Sequence, residues 1–186
     1  MIPFPKAQIL RVIIAFGDES YVASGGVGIY VLGLICLQSE DLDSARDHAR
    51  QISERGSARF HFHDADGQGR VSLVDQVKRG PWAFRVWARA CAPRSQERTR
   101  RLLLNCGLHL HSREMWIFES RGNRADVRDR QLAESVIGYR SSDGIRLTHR
   151  RASEEPLLWP ADVVASASAQ ALLQGWPAPF VRPTSS

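Results

Sequence analysis

The chain has 186 residues, 43% of them hydrophobic and 24% charged, with a formal net charge of +5 and a pI near 9.6. That length suits one well-buried domain rather than two, and that composition excludes a largely disordered chain. The positive charge is almost all arginine, because lysine occurs only at Lys6 and Lys78; arginine makes bidentate contacts to phosphate, so a polyanion such as nucleic acid is the expected class of partner.

The N-terminal MIPFPKAQ has no apolar core of the signal-peptide kind. Residues 9–20, ILRVIIAFGDES, then form a β-branched run that halts on Gly17 and two adjacent carboxylates, Asp18 and Glu19. Such a run reads as a buried strand, with the acids at its C-terminal end. A Gly-rich turn over 21–28 leads to a second apolar run at 29–37, and the pair reads as an antiparallel hairpin. From Ser39, read as a cap, Leu42, Ala45, Ala49 and Ile52 recur at helical spacing, and Gly56 closes the helix. Residues 59–66, RFHFHDAD, alternate like a strand with His61 and His63 on one face. Residues 71–78 read as a short helix and 82–92 as an aromatic-rich strand.

Residues 94–111 are strongly helical, with Leu102, Leu103, Leu104, Cys106 and Leu110 read as the apolar side. A short buried strand at 115–118 again stops on an acid, Glu119. Residues 121–139 read as a helix with Val127, Leu132, Val136 and Ile137 inward, 141–144 as a turn, and 145–151 as an edge strand. A last helix opens at Pro160, a residue favoured in the first turn, and the tail from Gly175, rich in proline, is expected to be loosely held. The organisation expected is one domain over 1–175, with 39–79 as a helical insertion after the second strand, and a tail over 176–186. Leu102, Leu103, Ile117, Val163 and Val164 are the expected core. Cys36, Cys91 and Cys106 show no CxxC spacing, which argues against a zinc ribbon or a disulfide framework and for buried, reduced thiols. No stretch reaches the roughly 18 apolar residues of a membrane span, so the expectation is a cytoplasmic protein with no membrane partner.

With the insertion set aside, three strands are followed by alternating helices and strands and a final helix, which is the ribonuclease-H-like order. The fold expected is therefore α/β: three layers, a mixed five-stranded sheet with helices on both faces, and the strand ending at Asp18 parallel to and beside the one ending at Glu119. At Asp18-Glu19-Ser20, Glu119-Ser120-Arg121 and the segment from Pro156 to Asp162, PLLWPAD, the chain resembles a bacterial family of uncharacterised proteins in the ribonuclease-H-like superfamily. The resemblance covers the chain to about Leu173. It implies that Asp18, Glu119 and Asp162 are the catalytic acids and the metal ligands. Two positions depart from the family pattern: Glu119 stands where aspartate is common, and the additional acid of active members could be Glu97, Asp64 or Asp66.

Two or three carboxylates around a phosphodiester suit magnesium or manganese, which prefer hard oxygen ligands. The reading is a metal-dependent phosphodiesterase or nuclease; the alternative is a non-catalytic nucleic-acid-binding or protein-interaction domain of the same fold. Glu19, His61, His63 and Asp64 are accessory candidates, the imidazoles because they bind metals and transfer protons near neutral pH. Arg94, Arg98 and Arg101 share one helix face and Arg121, Arg124 and Arg128 another, either of which could follow a phosphate backbone. Each residue also has an ordinary structural role to weigh: a polar turn for Asp18 and Glu19, a helix N-terminus for Asp162, an ion pair with Arg121 for Glu119, and an intrahelical pair of Asp126 with Arg130.

Overall fold

The structure, a computed structural model, describes residues 12–54, 61–111, 114–137 and 146–180. Strands β1 (Ile13–Ser24) and β2 (Val27–Gln38) form a long hairpin, closed by Gly25 and Gly26 at positive φ. Strand β3 (Ala83–Cys91) pairs antiparallel with β2. On the other side β4 (Met115–Glu119) lies parallel to β1, and β5 (Arg146–Arg150) parallel to β4. The result is one mixed sheet ordered β3-β2-β1-β4-β5. The expected adjacency of the Asp18 and Glu119 strands is thus observed.

Among the described residues, five α-helices complete three layers. On one face the apolar residues of α1 (Leu42–Glu54), α2 (Gly67–Lys78) and α5 (Leu158–Leu173) share a core with Phe16, Ile35 and Ile117 of the sheet. On the other, α3 (Gln96–Leu110) and α4 (Asn123–Ile137) pack over Leu32, Leu34, Trp116 and Phe118. Strand alternation assigns the faces: Ile14 and Phe16 belong to the α5 side, whereas Ala15 belongs to the α3 side. Among the described residues, no helix is long and apolar enough to cross a membrane.

Helix α5 is nearly all buried, and its small residues let it lie close to the sheet. The closest approach is at Gly33, where a Cβ would fall 2.5 Å from the backbone nitrogen of Ala165. Gly33 is paired with Asp18 across the hairpin. A missing side chain on β2 thus brings the N-terminal half of α5 over the strand that carries the acid.

Several expectations are corrected. Strand β1 does not end at Gly17-Asp18; it runs to Ser24, and only its pairing with β4 stops at Gly17. Gly17 is no terminator but a seat, since a Cβ there would meet the Phe118 ring at 2.4 Å. The strand expected across 59–66 is absent from its described part, where Phe62–Asp64 form a 3-10 turn; 59 and 60 lie outside the described residues. The turn arises because the Asp64 N–H bonds the His61 carbonyl and Asp66 caps α2, which begins four residues earlier than expected. Ser39 does not open the helix itself but a 3-10 turn, Ser39–Asp41, that precedes α1.

Leu103, Ile117, Val163 and Val164 are buried as expected, but Leu102 is 39% exposed and Leu110 69%. Cys106 is exposed and Cys91 half-buried, so only Cys36 is a buried thiol, pushed up to about 12 by burial; all three are free. The face of α3 turned to the sheet is Thr99, Arg100, Leu103, Leu104, Gly107 and Leu108. On α4 Val127 is exposed, while Ala133 is buried and Leu132 and Val136 pack against the same core. The expected turn at 141–144 lies outside the described residues. Helix α5 starts at Leu158, two residues before Pro160. Of the tail, Ala178 and Phe180 are buried, with the Phe180 ring 4.9 Å from that of Phe84; 181–186 lie outside the described residues.

Candidate functional site

The last β1–β4 pair is Gly17 with Phe118. Asp18 and Glu119 come next in each strand, and alternation turns both toward α5. Both are half-buried. Burial raises the Asp18 carboxyl well above its ordinary range; the charge of Asp162 adds to this, as do those of Glu119 and Glu19, against a 2.7 Å hydrogen bond from the Glu19 N–H. Glu119 is raised for the same two leading reasons, burial and the charge of Asp162, against the neighbouring His61 and the Ala152 backbone. Asp18 and Glu119 therefore share one electrostatic environment, in which the charge of Asp162 opposes the ionisation of both.

Asp162 sits in the second turn of α5 and is held on two sides. Its Oδ2 accepts the Phe62 N–H at 3.2 Å, and its Oδ1 accepts the Ser166 hydroxyl at 3.0 Å, one helical turn along. His61 Nδ1 is 3.9 Å from Asp162 Oδ2, and His63 Nε2 is 3.4 Å from the Ser166 hydroxyl. The 3-10 turn thus leans both imidazoles on α5. His61 remains 59% exposed at its side chain, facing solvent beside the acids. Asp64 and Asp66 are exposed, and Asp66 is occupied as the α2 cap.

Glu19 points to the other face of the sheet. There its carboxylate takes the Arg100 Nε on one oxygen and the Arg121 Nε, at 2.9 Å, on the other. The remaining Arg100 nitrogens both donate to Asp129, Nη2 at 2.7 Å. His149 of β5 reaches Asp129 at 3.1 Å, and Arg121 extends to Glu97 at 3.3 Å. The Tyr30 hydroxyl also bonds Glu19; burial, with the Glu19 charge, pushes this phenol far above its usual value. Burial alone would raise Asp129, but the bonds from His149 and Arg100 outweigh it and hold the carboxyl below its ordinary value. An open cavity of about 330 Å³ borders Glu19, Tyr30, Glu97 and Arg121.

The structure therefore brings Asp18, Glu119, Asp162 and His61 together, sets His63 one bond further off, and separates Glu19 from them by the sheet. Arg98 and Arg101 are exposed on α3 and Arg94 in the 3-10 turn Pro93–Ser95 before it, whereas Arg121 is engaged in the ion network. Asp126 does not pair with Arg130; it accepts the Ser120 hydroxyl at 2.6 Å and the Arg121 N–H at 3.1 Å, ordering the loop after Glu119. Arg100 and Asp129 were not singled out from the sequence, although a signal existed. Arg100 precedes Leu103, Leu104 and Leu108 by three, four and eight residues, and Asp129 precedes Leu132, Ala133 and Val136 by three, four and seven, so helical spacing puts both charges in apolar stripes.

The donor set is one of hard oxygens, which suits magnesium or manganese. Among the described residues, no three His, Cys, Asp or Glu side chains converge closely enough to hold a metal ion. Comparison with protein-family models and with curated proteins found no match.

Proposed function

We propose that the chain is a divalent-cation-dependent phosphodiesterase of ribonuclease-H-like fold, acting on nucleic acid, with Asp18, Glu119 and Asp162 as the cation-holding acids. One observation carries this reading: Asp18 and Glu119 stand side by side where the β1–β4 ladder ends, both raised by burial and by the charge of Asp162 from the facing helix. Uncompensated carboxylates in a half-buried site are costly, and a divalent cation is the simplest group that reverses the cost. The strand order and the position of the last helix support the same fold reading. When bound, such a cation supplies Lewis-acid stabilisation of a phosphoryl oxygen and a more acidic water. The acids themselves would hold and orient it, while the Phe62 N–H and Ser166 hydroxyl keep Asp162 in one rotamer. His61, exposed beside Asp162, is the residue placed to exchange a proton with solvent.

The test is a cleavage assay on single-stranded, duplex and hybrid substrates with manganese, with Asp18→Asn and Asp162→Asn run alongside. Manganese-dependent cleavage lost in both variants is the expected result. Cleavage unchanged in both, or none on any substrate together with a melting temperature indifferent to manganese, would favour the non-catalytic binding domain.

A further inference from the structure

We propose that the Arg100-centred ion network on the α3–α4 face holds Asp18 and Glu119 in place, making Arg100 and Asp129 positioning residues for the carboxylate site. This deepens the cation-site reading and rests on it.

Direct pairing between β1 and β4 ends just before the two acids, although Asp18 stays paired with Gly33 of β2 and Glu119 with Arg150 of β5. β1 and β4 are hydrogen-bonded only as far as Gly17 and Phe118, and β4 itself stops at Glu119. Beyond that point no direct β1–β4 ladder sets the spacing between the two acids. Each acid is followed at once by a residue of the network: Glu19 after Asp18, and Ser120 and Arg121 after Glu119. Glu19 and Arg121 bond each other at 2.9 Å across the gap. In a strand, anchoring one side chain on one face fixes the direction of its neighbour on the other.

The anchor is itself rigid. Arg100 is 1% exposed and commits its Nε to Glu19 and both terminal nitrogens to Asp129, a planar fork with no spare rotamer. His149 ties Asp129 to β5, and Asp126 holds Ser120 and the Arg121 N–H from α4. Two strands, two helices and the loop after Glu119 therefore meet through one guanidinium. Stability alone is a weak reason for such a cluster, because apolar residues of equal volume often stabilise as well as a buried ion network. A cation site, by contrast, depends on ligand placement to within about half an ångström.

The experiment measures manganese binding to the full chain, by calorimetry and by loss of the free-ion electron paramagnetic resonance signal, in wild type, Arg100→Lys, Asp129→Asn and Leu108→Ala. Leu108 is buried on α3 and outside the network, so Leu108→Ala reports a loss of stability alone. Binding at least about tenfold weaker in the two network variants, with Leu108→Ala within about twofold of wild type, is expected. Backbone amide exchange is the second arm: it should accelerate at 18–20 and 119–121 in the network variants more than in Leu108→Ala. Wild-type affinity and wild-type exchange in folded Arg100→Lys and Asp129→Asn would overturn the proposal. A wild-type chain that binds no manganese would count against the cation reading, and the exchange comparison would then decide the positioning role by itself.

Discussion

Asp18 and Glu19 are consecutive in one strand, yet the sheet divides them into opposite electrostatic regimes. Glu19 meets two guanidiniums and a phenol, and every charge around it has a partner. Asp18 meets Asp162 and Glu119, with only a backbone N–H to offset them. The first arrangement is self-sufficient and rigid. The second leaves repulsion among carboxylates that a backbone N–H and the exposed His61 offset only in part, and the proposed cation would relieve it. The difference teaches that two carboxylates of similar sequence context are sorted by strand alternation alone, and that the balanced face can support the unbalanced one.

The largest way to break this comparison is Arg100→Ala. Removing one partner from a buried ion cluster leaves Glu19 and Asp129 uncompensated and should destabilise the fold by about 3–5 kcal/mol, read as a fall in the urea midpoint. Next in size is Gly33→Ala on the acid face. Its Cβ would meet Ala165 backbone, which cannot swing aside as a side chain can, so α5 must shift; overpacking of this kind costs about 1–3 kcal/mol. The same variant should weaken the manganese-induced rise in melting temperature, because α5 carries Asp162.

Asp18→Asn sharpens the contrast through its sign. A carboxyl raised in the folded state makes folding less favourable as pH climbs from the ordinary carboxylate value through the raised one, so the neutral amide should stabilise the apo fold at neutral pH. That gain should disappear in urea melts near roughly pH 4, where the wild-type carboxyl is protonated. Asp129 runs the other way. Its lowered carboxyl contributes stability that is present above the ordinary carboxylate range and lost as pH falls through the folded value, so Asp129→Asn should destabilise most at neutral pH and least in acid. The smallest effect belongs to Glu97→Gln at the exposed rim of the network, where the ion pair with Arg121 is worth about 0–1 kcal/mol.

Much of this molecule was legible before its structure. The hairpin, the buried strand before Glu119 and the helix carrying Asp162 follow from apolar runs, glycine turns and helical spacing, all of which are local signals, whereas the adjacency of β1 and β4 is implied by the resemblance in element order. The errors are also local in origin. RFHFHDAD alternates like a strand, but Phe62 is claimed by Asp162, a residue 100 positions away, and no pattern within eight residues contains that bond. Leu102 and Leu110 were assigned to the core because they are leucines in a helix, whereas the helix turns Arg100 inward.

The sequence by itself determined the α/β class and, outside 59–66, most of the order of strands and helices, and it offered Asp18, Glu119 and Asp162 as candidates, because periodicity and chain breaks are properties of short segments. Only the tertiary structure decided that Glu19 belongs to a different network from Asp18, that Gly33 admits α5, that His61 reaches the acids by a turn rather than a strand, and that Arg100 is buried. Those facts depend on which surfaces meet. A guanidinium on a helix is solvated or buried according to whether carboxylates from other elements arrive to pair with it, and that arrival is a property of the assembled sheet.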